Sequence, residues 1–186
     1  MVEPSSDTSL SWGYLLVDEK KCTGCSSCML ACSLVHEGKS VLPLSRIQIF
    51  DDAFGTFPTD IAMDVCYQCE SPECYFACPV RDEAFCIDKK TGVRYIDEEN
   101  CTGCKACIDA CIYTPSRIGF HPEKNVAIKC DLCQNTPYWD SQGKQACVEI
   151  CPVKAIKFTM TKPESEEGYK VNLRGEGWAK LGLPTD

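Results

Sequence analysis

The chain has 186 residues, with 19 basic and 27 acidic side chains, a formal net charge of −8 and seventeen cysteines. Cysteine at that density demands disulfides or metal, because without the cysteines the apolar share falls below that of an ordinary globular domain. Collagen, coiled coil and disorder are excluded, since apolar residues and turn formers are mixed throughout.

In chain order, residues 1–11 carry no basic n-region, no apolar h-region and no twin arginine. The nearby apolar run Tyr14–Val17 is too short to cross a membrane. An odd cysteine count without a leader favours a reduced, cytoplasmic chain with metal-binding thiolates over a disulfide framework. Tyr14–Val17 predicts a short strand that enters the first cysteine group, Cys22, Cys25, Cys28 and Cys32, spaced C-x2-C-x2-C-x3-C. A helix is expected over 26–35 and a strand over 47–50. The second group is Cys66, Cys69, Cys74 and Cys78, spaced C-x2-C-x4-C-x3-C, with Pro72 in its wide gap and Pro79 after it. Phe85–Ile87 and residues 93–96 flank a turn ending in Gly92, a strong hairpin signal. The third group, Cys101, Cys104, Cys107 and Cys111, repeats the first spacing and predicts helical turns over 105–112. A strand over 126–128 precedes the fourth group, Cys130, Cys133, Cys147 and Cys151, with Pro152 behind it. A turn over 147–150 and a strand over 156–158 close the pattern. That places sixteen cysteines in four groups and leaves Cys86, read as a buried structural thiol on its hairpin strand.

The spacing has a steric reason. A cubane cluster needs thiolates converging from one tight loop, and in C-x2-C-x2-C the chain wraps the cluster with its amides turned toward the cluster sulfurs. Thr23-Gly24 and Thr102-Gly103 supply small residues where a side chain would obstruct that approach. The cysteine after the x3 gap is carried onward to the other cluster of a two-cluster pair. Taken alone, the fourth group also has the spacing of a four-cysteine zinc site. Groups one and three do not, because tetrahedral zinc takes two close pairs across a longer loop.

The order and spacing of the four groups resemble the four-cluster iron–sulfur subunits of molybdenum and tungsten enzymes, the dimethyl sulfoxide reductase electron-transfer type. The resemblance covers about residues 14–158 and all sixteen grouped cysteines. It implies four [4Fe-4S] clusters, with the first group paired to the fourth and the second to the third. One cluster would take Cys22, Cys25, Cys28 and Cys151, and its neighbour Cys32, Cys130, Cys133 and Cys147. A third would take Cys66, Cys69, Cys74 and Cys111, and a fourth Cys78, Cys101, Cys104 and Cys107. The implied fold is α+β, two bacterial-ferredoxin-like modules with short hairpins and helices around the clusters. The inner module, 60–119, is nested within an outer one formed by 14–50 and 120–158. A narrower likeness lies in Ala31-Cys32-Ser33-Leu34-Val35-His36-Glu37-Gly38 and Ser45-Arg46-Ile47. These are similar to ferredoxin-like subunits of tungsten aldehyde oxidoreductases and class II benzoyl-CoA reductases.

The remaining residues carry smaller expectations. His36 and His121 read as ordinary polar residues. Tyr67, Tyr75, Phe76, Tyr113, Tyr138 and Trp139 read as packing that excludes water from the clusters. Arg81, Lys105, Lys129 and Lys154 could offset cluster charge, with solvation as the default. The tail 159–186 is either solvated or an arm on a partner subunit anchored by Trp178. No phosphate loop, dinucleotide fingerprint, catalytic triad or nucleic-acid surface appears. The reading is an electron-transfer subunit with no catalytic residues of its own. It relays electrons to or from a molybdenum or tungsten pterin subunit in a hetero-oligomer of anaerobic metabolism, with a further electron-transfer subunit or ferredoxin as another partner. A free polyferredoxin carrier, or a subunit of a hydrogenase or formate dehydrogenase, is the alternative.

Overall fold

A computed structural model describes residues 9–57, 59–183 and 185. Its strands are β1 (Tyr14–Val17), β2 (Gln48–Asp51), β3 (Ile61–Asp64), β4 (Phe85–Ile87), β5 (Arg94–Ile96), β6 (Ile118–His121), β7 (Val126–Lys129) and β8 (Ile156–Thr159). Its helices are α1 (Ser27–Glu37), α2 (Glu73–Phe76), α3 (Ala106–Asp109), α4 (Pro137–Gln142), α5 (Ala146–Ile150) and α6 (Glu176–Ala179). The architecture is mixed α/β, built from very short elements. No helix among the described residues is long and apolar enough to cross a membrane.

The strands form four separate antiparallel pairs rather than one sheet. β1 lies on β8, Tyr14 opposite Thr159 and Val17 opposite Ile156, so the ends of the cysteine-bearing region are tied together. β2–β3 and β6–β7 are hairpins, the latter spanning the 119/120 boundary expected between modules. The 85–96 hairpin forms as the sequence predicts: the Asp88 carboxylate accepts from the Lys90 and Thr91 amides and the Thr91 hydroxyl. Gly92 sits at φ +66°, where a Cβ would meet the Leu10 carbonyl oxygen at 2.0 Å. Among the helices, α1 packs on α5 and α2 on α3, bringing group one beside group four and group two beside group three.

The interior explains the thin aliphatic share. Tyr14, Leu15, Val17, Met63, Val93 and Ile156 share one core with Cys28, Cys32 and Cys147, while Phe85, Ile118 and Ala127 share a second with Cys107. Five elements were not foreseen: β3, β6, α2, α4 and α6. Gly119 interrupts the apolar pattern of β6, β3 runs only four residues, and α2 and α4 are one or two turns long.

The tail is mostly exposed over residues 160–167, but over 169–174 it differs from both expectations. Tyr169 is buried, stacks on Tyr67 with ring centroids 4.0 Å apart, and donates its hydroxyl to the Tyr67 carbonyl at 3.0 Å. The Val171 amide donates to the Val17 carbonyl at 2.8 Å, and the Leu173 amide to the buried Asp18 carboxylate at 2.6 Å. Lys21 reaches back to the Leu173 carbonyl at 2.7 Å. The segment is therefore a strap on its own chain, because Asp18 and the edge of β1 offer donors and acceptors that water would otherwise fill. Trp178 lies beyond the strap and is half-buried.

Candidate metal centres

The cysteine loops are shaped by their backbone. In the first, Gly24 and Ser26 take positive φ; in the third, Gly103 and Lys105 do so at the equivalent positions. Gln68 and Leu132, inside the C-x2-C steps of groups two and four, do the same. Alternation into the left-handed region turns successive amides into one concavity, the geometry that receives anions and many iron–sulfur clusters. Crowding at the glycines is not what the sequence reading supposes. A Cβ on Gly103 would meet the Asn125 carbonyl oxygen at 2.2 Å, whereas one on Gly24 meets nothing nearer than Ile61 at 3.5 Å.

Three pockets each gather four cysteines from distant parts of the chain. Cys32, Cys130, Cys133 and Cys147 line about 300 Å3 of atom-free space, mouth included. Cys66, Cys69, Cys74 and Cys111 line about 320 Å3, and Cys78, Cys101, Cys104 and Cys107 another 320 Å3. The remaining grouped cysteines, Cys22, Cys25, Cys28 and Cys151, also lie together. Burial pushes the Cys22 thiol up, a Gly24 amide partly offsets this, and Cys151 and Cys25 add to the rise. These are the same four sets that the family resemblance implies. The fourth group does not close on itself as a zinc site would, since Cys151 sits with the first loop and Cys32 takes its place. Among the described residues no three His, Cys, Asp or Glu side chains are spaced to hold a single metal ion.

The donor set fits a cluster chemically. Burial pushes Cys28, Cys74, Cys107 and Cys133 up to about 12, and raises Cys130 and Cys147 well above the ordinary thiol value. Thiols held that way become thiolates only beside strong positive charge, which cluster iron supplies. Cys32 departs from the pattern: burial raises it, but His36 and Arg46 outweigh burial and lower it. Amides of Arg46, Arg117 and Ala155 donate to the sulfurs of Cys32, Cys111 and Cys151 at 3.3, 3.4 and 3.2 Å.

Several functional surroundings exceed the sequence reading. His36 is more than an ordinary polar residue: its side chain is 8% exposed, Nδ1 lies 2.8 Å from the Cys32 carbonyl and Nε2 2.9 Å from Asp131. Burial would lower its pKa, but Asp131 and Cys32 raise it to about 10. His121 is also buried, 3.7 Å from Glu37. Arg81, Lys105 and Lys154 are exposed, but Lys129 is buried beside Cys130. Arg94, which the sequence reading passed over, is fully buried on β5. Both line the Cys66 pocket together with Arg117. Burial would lower Lys129, yet Cys66, Cys74 and Cys130 raise it on balance. Of the aromatics, Tyr67 and Tyr113 line that same pocket at 4.8 Å from each other, and Trp139 packs edge-on to Trp12. Cys86 is half-exposed instead of buried, because Phe85 takes the inward position on β4; its thiol donates to the Glu83 carbonyl at 3.3 Å.

Comparisons with known proteins agree in kind. Residues 58–161 match the 4Fe-4S dicluster domain, and residues 19–35 match a 4Fe-4S binding domain. A protein described as an NrfC homolog from Haemophilus influenzae is 37% identical over 180 residues, covering 92% of this chain and 75% of that protein. The polyferredoxin-like subunit of an aliphatic sulfonate oxidoreductase from Pyrococcus furiosus is 37% identical over 139 residues, covering 74% and 70%. Among solved structures, the BamBC active-site complex of benzoyl coenzyme A reductase with 1,5-dienoyl-CoA is similar at 22% identity and a TM-score of 0.43 over 91% of this chain and 87% of that one.

Proposed function

The chain belongs to the 4Fe-4S dicluster domain family, and from that membership we propose that it relays single electrons through four [4Fe-4S] clusters to or from a separate molybdenum or tungsten pterin subunit. Its relatives include the polyferredoxin-like subunit of an aliphatic sulfonate oxidoreductase and the electron transfer subunit of a thiosulfate reductase. The chain is likewise an iron–sulfur electron-transfer protein, with no catalysis of its own.

The observation that carries the count of four is the convergence of sixteen cysteines into four sets of four. Cys22, Cys25, Cys28 and Cys151 hold the first cluster; Cys32, Cys130, Cys133 and Cys147 the second. Cys66, Cys69, Cys74 and Cys111 hold the third; Cys78, Cys101, Cys104 and Cys107 the fourth. A cluster supplies a one-electron couple when bound. The chain's residues fix where that couple sits, exclude water from it and set its potential through amides, burial and charge. The β1–β8 pairing supports an outer module of 14–50 and 120–158 around an inner one of 60–119, with the β6–β7 hairpin lying across their boundary.

The partner assignment, a tungsten aldehyde oxidoreductase or class II benzoyl-CoA reductase type in a reducing cytoplasm, rests on the Ala31–Gly38 likeness. The Pyrococcus relative, itself an oxidoreductase subunit, is in keeping with a catalytic partner. Native purification with iron, sulfide, molybdenum and tungsten analysis tests the reading. About sixteen irons per chain and a copurifying metal-pterin subunit are expected, and fewer than about twelve irons under anaerobic preparation would contradict four clusters. A second reading, a free polyferredoxin carrier, gains from the strap, since a tail bound to its own chain is not an arm on a partner through Arg174. A redox-active species of 20.6 kDa in native extract would favour that carrier.

A further inference from the structure

We propose that the pocket lined by Cys66, Cys69, Cys74 and Cys111 is the electron sink of the chain, seating the cluster of highest reduction potential. The cause is that Arg94 and Lys129 face it as two buried positive charges, neither in an ion pair with a carboxylate among the described residues. This rests on the four-cluster reading above and ranks its sites.

Arg94 is 0% exposed and Lys129 5% exposed, and both line this pocket. Their hydrogen bonds go to carbonyl oxygens and, from Lys129, to the Cys66 sulfur. Arg94 donates to Gly92 and, at 3.3 Å, to Glu70, leaving its buried Nε without a hydrogen-bond partner among the described residues. Lys129 donates to the Arg94 carbonyl at 2.7 Å and the Cys130 carbonyl at 3.1 Å. Glu70, whose carboxylate feels Arg94, stands at the surface and pairs with Lys162. A buried cation without a counter-charge is costly, so these two are matched to an anion in the pocket. The third cation there, Arg117, is already offset by Asp64.

The other pockets hold less of this surplus, although Lys129 also acts on Cys130 of the second. Beside the second, Arg46 lies 2.6 Å from Glu37 and 2.8 Å from Glu98, and His36 pairs with Asp131. Beside the fourth, Lys105 is exposed and leans on the Phe120 ring at 4.2 Å. Around Cys22 and Cys28 the main neighbours are other thiols and amides. Taking up one electron from a donor makes a cluster and its four thiolates more negative by one charge, with no bond made or broken. Positive charge held in a low-dielectric site favours that reduced state far more than the same charge in water.

The test is a dithionite titration of the anaerobically purified, cluster-loaded protein, followed by electron paramagnetic resonance. Lys129→Met should move the highest-potential component negative by at least about tenfold in its reduction equilibrium, about 59 mV for one electron. Lys129→Arg should restore it, and Asp64→Asn, by freeing the charge of Arg117, should move it positive. Cys111→Ser identifies the component that belongs to this pocket. If Cys111→Ser disturbs no [4Fe-4S] component, the ligand reading fails. If it disturbs a component other than the highest, the ligand reading stands and the sink is refuted. Unshifted potentials in both charge variants at full iron content would also refute it. Should Lys129→Met lose iron, the sign of the Asp64→Asn shift decides.

Discussion

Two kinds of pocket are built from cysteine loops of two kinds of spacing. The first and fourth each keep one solvent-exposed cysteine, Cys25 and Cys104, whereas every cysteine of the second and third is buried or half-buried. The second touches both neighbours electrostatically, Cys147 feeling Cys28 of the first pocket and Cys130 feeling Cys66 of the third. Exposure at the ends and enclosure in the middle suit different tasks. An end site exchanges electrons with other proteins, and a central site holds or passes them out of reach of water. The loops differ with position: groups one and three, which share spacing and left-handed positions, supply three cysteines to each end pocket, and the wider-spaced groups two and four supply three to each central one. The surroundings differ as well: a docked strap, buried cations and packed tyrosines stand around the centre.

The sharpest way to break this contrast is to remove one cysteine of each kind. Cys147→Ser, in the central second pocket, should lose about one cluster's iron and much of the core packing, seen as a cooperative loss in iron assay and thermal melt. Cys25→Ser, at an exposed end, should keep the fold and change mainly how readily its cluster degrades in air. Equal losses in the two variants would erase the distinction. Next in size, Tyr169→Ala strips a buried ring from Tyr67 and should cost about 3–5 kcal/mol in denaturant unfolding. A cost below about 1 kcal/mol would show that the strap adds nothing to the centre.

Smaller effects separate the two ends from each other. Gly103→Ala combines a φ of +69° with a backbone clash and should destabilise by about 2–3 kcal/mol. Gly24→Ala has the positive φ alone and should cost about 1 kcal/mol. If the two alanines cost the same in equilibrium melts, crowding by Asn125 does not matter and conformational strain is the whole reason for both glycines.

How much of this could be read beforehand depends on whether a feature is local. Tyr14–Val17 and the 85–96 hairpin are local patterns, and both form where the sequence places them. The cysteine loops are equally local. Which loop meets which is not: nothing in C-x2-C spacing puts Cys151 beside Cys22, and the grouping came from family likeness. Burial of cations was the least legible. Lys129 is one of four basic residues that could offset cluster charge, yet a lone basic residue defaults to solvent. Arg94 sits in an ordinary strand with no flag at all. Both are buried because the pocket beside them is expected to hold a strongly negative group, and that group is not written in the chain. Likewise Asp18 gives no hint that residues 170–174 will find it.

The pairing of β1 with β8, and of Cys22 with Cys151, also has a meaning for synthesis. The third and fourth cysteine sets lie wholly within residues 66–111, so they can gather while the rest of the chain is still being made. The first and second sets cannot close until Cys147 and Cys151 have left the ribosome, some 120 residues after Cys25 and Cys28. For that interval the earliest thiols stand open to oxygen and stray metals. On the proposed ligand sets, the middle of the chain is ready for clusters first, and its two ends are ready together and last.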